Sequence, residues 1–212
     1  MKKRVLLSLI FSSVLCAENA YDNEYQLALK AGTLGIGVEL SHRVNAHYAL
    51  RLNINGLRLS NVPLTYEWIN ASVNLRLLTV GGVVDYYPDP KSGFYYSGGL
   101  YVNANKVAVK TEMLSAFVTS LDATLSYASF NPYIGIGYQH KLTRNLSVVA
   151  DAGFLLHGAG AFTSKITIDP SLPAGEKNTV RANKDKFDTD TRNAIAHYPL
   201  YPVLMLGLAY RF

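Results

Sequence analysis

The sequence predicts an all-β protein, an eight-stranded antiparallel up-and-down transmembrane β-barrel. Three observations carry this. Apolar residues recur at every second position in segment after segment, the period of a strand with one greasy face. The opposite faces hold glycine, tyrosine and a few charges rather than the Lys, Glu and Thr of a solvated sheet. Short turns alternate with long connections: 42–47, 88–93 and 141–145 are short, whereas 59–70, 110–130 and 164–197 are long. A periplasmic sandwich is the competing architecture, but its second faces would be wet.

Taken in order, Lys2, Lys3 and Arg4 precede an apolar run from Val5 to Leu15, the pattern of a secretory signal peptide. Cleavage is expected after Cys16 or Ala17, which divides the chain into a leader, 1–17, and a barrel domain, 18–212. Cys16 also suits lipidation, though Leu15 is a poor residue before a lipidated cysteine. It is the only cysteine, so no disulfide is expected. The chain has 20 basic and 15 acidic residues; without Lys2, Lys3 and Arg4 the excess falls from five to two. The sequence pI of 9.2 is then partly a property of the leader and weak ground for a nucleic-acid partner. No later apolar run reaches the ~20 residues of a membrane helix, a test that barrels escape.

The strands follow. Tyr25, Leu27, Leu29 and Ala31 alternate with Glu24, Gln26, Ala28 and Lys30. Their odd parity becomes even in Leu34, Ile36, Val38 and Leu40, whose other face holds Glu39 and Arg43. A two-residue hairpin at Gly32-Thr33, pairing Ala31 with Leu34, explains the change and supplies the eighth strand; a bulge at Gly32 competes with it. Tyr48, Leu50, Leu52 and Ile54 stand against Arg51, Asn53 and Asn55. Val73, Leu75 and Leu77 stand against Asn74 and Arg76, and the phase is then lost near Gly81-Gly82, which reads as a bulge. Phe94, Tyr96, Leu100 and Val102 oppose Tyr95, Ser97, Tyr101, Asn103 and Asn105. Ile134, Ile136 and Tyr138 oppose Tyr133, Gly135, Gly137 and Gln139. Leu146 to Leu156 alternates against Ser147, Asp151, Gly153 and His157, and Leu204, Leu206, Leu208, Tyr210 and Phe212 close the chain.

Aromatics gather at strand ends as interfacial girdles do: Tyr48, Tyr86, Phe94, Tyr138, Tyr210 and Phe212 at one end, Tyr66, Trp68, Phe130, Tyr198 and Tyr201 at the other. With the leader, the alternating strands and the terminal Tyr210-Arg211-Phe212, the whole chain resembles the small outer-membrane barrels of Gram-negative bacteria, the OmpA-like, OmpX-like and OmpW-like families. The resemblance implies localisation in the outer membrane after signal cleavage, and contact with the bilayer, with lipopolysaccharide and with the barrel-assembly machinery. That machinery would read Leu208, Tyr210 and Phe212.

The candidate site is a polar network inside the barrel: Glu39, Arg43, Arg51, Arg76, Asp151 and His157, with Lys30 and Tyr101 beside it. An eight-stranded interior holds side chains or one small ligand, and buried charges must pair, so a plugged lumen is weighed against a narrow polar path. Strand 1 is short, which leaves the outer part of the last strand unpaired. Pro199 and Pro202 sit there and mark an expected lateral notch. The 111–130 connection is unusually apolar. Met113, Phe117 and Leu121 fall on one helical face, read either as a lid beside the notch or as strands continuing above the membrane. Asp185, Asp188 and Asp190 lack the glycine and terminal glutamate of a calcium loop, and read as a solvated surface loop. No cofactor or metal is expected, nor catalysis: Asp151 and His157 are six residues apart on one strand, about 20 Å.

The function read first is a porin-like barrel with a narrow or plugged lumen that passes small solutes, hydrophobic ones among them. The alternative is a non-conducting structural or adhesin-like barrel acting through its extracellular loops on a surface ligand.

Overall fold

The strand parities close into a ring. In a computed structural model, which describes residues 25–212 apart from 67, 68, 113–117, 128, 159 and 198, eleven strands and one helix follow one another. They are β1 (Tyr25–Gly32), β2 (Gly35–Arg43), β3 (Tyr48–Tyr66), β4 (Ile69–Tyr86), β5 (Phe94–Asn103), β6 (Lys106–Glu112), β7 (Val118–Ser126), β8 (Phe130–Lys141), β9 (Leu146–Leu156), β10 (Ala161–Ile168), α1 (Ala174–Ala196) and β11 (Leu200–Arg211). Antiparallel pairing runs β1-β2-β3-β4-β5-β8-β9-β11 and back to β1, an eight-stranded barrel. β6, β7 and β10 prolong β5, β8 and β9 beyond the ring, so β3, β4, β6, β7 and β10 form a tall sheet on one side.

Closure depends on the first hairpin. β1 pairs with β11 from Gln26↔Arg211 to Gly32↔Met205, and with β2 on its other edge. The hairpin exists, but one residue later than expected: Ala31 faces Ile36, Gly32 faces Gly35, and Thr33-Leu34 form the turn. Gly35 takes φ +96°, where a side chain would be strained, and a Cβ at Gly32 would lie 1.9 Å from the Leu204 carbonyl oxygen. Leu34 therefore leaves the lipid face expected for it and is buried in the lumen.

Outward residues of the ring are the greasy ones. Leu29 is 61 % exposed, Leu52 60 %, Ile134 60 % and Leu206 61 %, a belt that only hydrocarbon would satisfy. The inner girdle is present: Tyr48 lies 5.3 Å from Tyr86 between ring centroids, and Tyr25 6.4 Å from Phe212. Of the expected outer girdle, Phe130 faces outward. Tyr201 instead turns inward, its hydroxyl donating to the Thr33 carbonyl. Trp68 and Tyr198 lie outside the described residues.

The bulge expected at Gly81-Gly82 is absent. β3 and β4 keep register from Tyr48↔Tyr86 to Leu59↔Leu75, and the one shift comes between Leu59 and Val62. Gly81 instead makes room for the Tyr101 ring opposite it, since a Cβ there would lie 2.5 Å from the ring. Gly137 does the same for Tyr95. What changes along β4 is the surroundings. In the ring Val80 and Val84 face out while Thr79 and Asp85 face in. Above it Leu57, Leu77, Leu75, Val107 and Leu125 carry on the lumen face, and Arg58, Arg76 and Lys106 the outer face. Lipid favours greasy residues outside and water favours polar ones, so polarity inverts where the wall leaves the membrane.

The long connections are thus largely structured. Leu121, expected on a helical face, lies on β7 opposite Thr111 and Ile166; Met113 and Phe117 lie outside the described residues. The segment expected as a solvated loop folds as α1, docked on β10 through Asp188, which accepts from Ser164 and Lys184.

Candidate functional site: a charge cluster closing the lumen

Inward positions on six of the eight ring strands converge at mid-height. Lys30 (β1) lies 2.5 Å from Glu39 (β2) and 2.7 Å from Asp151 (β9). Arg51 (β3) reaches Glu39 at 3.2 Å, Asp151 at 2.9 Å and Asp85 (β4) at 2.6 Å. Ser97 (β5) accepts from Arg51 and donates to Asp85, and the Tyr95 hydroxyl donates to Asp151 at 2.9 Å. All five charged side chains are buried. The cluster joins two cations to three carboxylates. Each partner is held by several bonds, the condition under which buried ions are tolerated.

Packed layers lie on both sides. Toward the termini, Arg43 stacks 3.6 Å over the Tyr87 ring and Gln139 donates to Gln26. Toward the outer side, Asn53 donates to the Tyr101 hydroxyl, and Asn55 donates to Asn53 and Thr79. Tyr101, Tyr133, Leu34, Leu155, Val203 and Met205 fill the remaining section. Two cavities inside the ring, about 20 Å³ and about 10 Å³, have room for about one water each. Below them the mouth between the inner turns widens to about 710 Å³.

Of the residues singled out in the sequence, Glu39, Arg51 and Asp151 meet in the cluster, joined by Lys30. Arg43 belongs to the mouth, where it also donates to the Asn45 and Ala46 carbonyls. Arg76 is not interior at all; it stands on the outer face above the ring. His157 is buried near the outer end, its ring 4.3 Å from that of Tyr127 and its Nδ1 bonded to the Gly158 carbonyl. Asp85 and Ser97 complete the cluster; Ser97 was on the right face, and Asp85 was hidden by the phase change. Pro199 accepts from the His157 backbone N–H, and the Pro202 carbonyl accepts from the Thr33 hydroxyl. The β1–β11 ladder ends at that level, while β3 and β4 continue well past it.

No protein-family model and no curated protein matches the chain. Solved structures do match in fold. The crystal structure of Acinetobacter baumannii CarO2 superposes with a TM-score of 0.65 at 18 % identity, over 90 % of this chain and 99 % of that one. That of Acinetobacter baumannii CarO gives 0.65 at 17 %, over 92 % and 100 %. At such identity the likeness speaks for the fold alone, a closed eight-stranded antiparallel barrel.

Proposed function

We propose that this chain is a bacterial outer-membrane barrel that is closed to ions and acts at the cell surface through the sheet and helix above the ring. The closed lumen carries the reading. Charged, tyrosine and aliphatic layers fill the section, and the two cavities between them have room for about one water each. A conducting eight-stranded pore would need a continuous file of water, which this packing interrupts. The exposed belt and the face of Leu208, Tyr210 and Phe212 support insertion by the assembly machinery. No catalytic step is assigned, since His157 is held between tyrosines away from the carboxylate cluster. The test is single-channel recording of refolded protein in a planar bilayer. Silence is expected; discrete openings from folded protein would sink the reading.

A second reading, passage of small apolar solutes, is favoured by one observation. Above the low β1–β2 hairpin the lumen side of the tall sheet is apolar, with Leu57, Leu75, Leu77, Val107 and Val109 on one face. Faster uptake of a small hydrocarbon by vesicles containing the protein, with no ion current, would support it.

A further inference from the structure

On the outward face of the tall sheet, Arg58 pairs directly with Arg76, and Arg76 with Lys106. All three are exposed, and none has an ion-pair partner among the described residues. Cations directly opposite one another on neighbouring strands repel. Four residues higher the same face shows the ordinary solution, with Asp122 set between Lys110 and Lys165. The lower row has no such acid.

Its height is informative. Ten residues separate Tyr48 from Arg58, Tyr86 from Arg76 and Tyr96 from Lys106, on three adjoining lines of the wall. Along strands tilted by about 40° that is about 25 Å, the height of the apolar band of an outer-membrane barrel. The tyrosines mark the inner edge of the belt, so the cations mark the outer edge. Directly beneath lie outward-facing Ile54, Leu78, Val80 and Val102. A phosphate at this level, carried by acyl chains lying on that apolar strip, would face three donors at once.

We propose that Arg58, Arg76 and Lys106 hold the phosphate of an outer-leaflet glycolipid against the barrel wall. This rests on the outer-membrane reading above. The test uses full-length mature protein refolded into lipid nanodiscs containing bis-phosphorylated lipid A or its dephosphorylated form, with native mass spectrometry counting retained lipid. Wild type is expected to retain the phosphorylated form. The triple variant Arg58→Gln, Arg76→Gln, Lys106→Gln is expected to lose about tenfold in retention. A charge-matched control at the inner end, Lys91→Gln with Lys141→Gln and Arg144→Gln, should bind as wild type does. In phosphate-free lipid the triple variant should be no less heat-resistant than wild type, because repulsion has been removed.

Equal retention by the triple variant, or equal retention of the dephosphorylated lipid, would overturn the proposal. So would displacement of the lipid by millimolar inorganic phosphate, which would mark a site for free anions. The membrane reading fails separately: wild type would then give no heat-shifted, protease-protected barrel even in phosphate-free lipid.

Discussion

Arg51 holds Asp85 through one hydrogen bond, Nη2 to Oδ1 at 2.8 Å, and an ion-pair contact, Nε to Oδ2 at 2.6 Å, while also bridging Glu39 and Asp151. The two ends of this relationship are unequal. Arg51 touches all three carboxylates, so Arg51→Met leaves Glu39 and Asp151 to Lys30 and leaves Asp85 without a cation. Asp85→Asn keeps the shape and leaves two cations with two carboxylates. Arg51→Met should therefore cost about 3–5 kcal/mol, the range for an orphaned buried charge, and Asp85→Asn about 1 kcal/mol. Urea unfolding in vesicles would check this; equal losses would refute the central role of Arg51.

Thr33 fastens the first hairpin to the last strand. Its hydroxyl donates to the Pro202 carbonyl at 3.0 Å and accepts from the Leu204 N–H at 3.0 Å. Thr33→Val keeps the side-chain shape and strands both groups beside lipid, so a loss of about 1–3 kcal/mol is expected. Thr33→Ser should retain most of the stability. The same unfolding assay, read with proteolysis of the 198–204 segment, distinguishes the two.

The ring was legible because the strand period is geometry and survives any environment. The faces were less so. Along β4 the apolar residues are odd-numbered from Val73 to Leu77 and even-numbered from Leu78 to Tyr86, which mimics a one-residue slip. The backbone does not slip; the surroundings change from water to lipid. That inversion sent Arg76 to the wrong side and hid Asp85. α1 was illegible for another reason. It is polar all round and buries only Asp188, so no stripe of period 3.6 announces it.

That one buried contact makes α1 sensitive to acid. Burial pushes the Asp188 carboxyl up, but hydrogen bonds from Lys184 and Ser164 and the charges of Lys184 and Arg192 outweigh it and hold the carboxyl below its usual range. A depressed folded value means that the docking contributes fully above the unfolded value, near 3.9. It is lost as the pH falls through the folded value. Protection of 174–196 against hydrogen exchange, taken relative to the intrinsic rate at each pH, should be high at pH 7 and fall below about pH 4, with the ring unaffected. Asp188→Asn should lower the protection at pH 7 and flatten its pH response; an unchanged profile would exclude Asp188 as the anchor.

The inversion of polarity along the wall also predicts where charge is tolerated. Val84 lies within the belt, two positions from the Tyr86 girdle, and is 45 % exposed. Val80 is 48 % exposed and nearer the middle, six residues from Tyr86 and four from Arg76. Arginine at Val80 should cost about 2–4 kcal/mol, the midplane value, and at Val84 less, because its side chain can reach the inner interface. Asn74 shares the face of Val80 but stands above Arg76, in water, and accepts a bond from the Asn61 backbone. Asn74→Arg loses that bond and meets no lipid, so about 1 kcal/mol is expected. A graded loss in the order Val80, Val84, Asn74, measured by unfolding in vesicles, places the outer membrane boundary between Val80 and Asn74, the interval that holds Arg76. Equal tolerance at Val80 and Asn74 would mean that this belt does not face hydrocarbon.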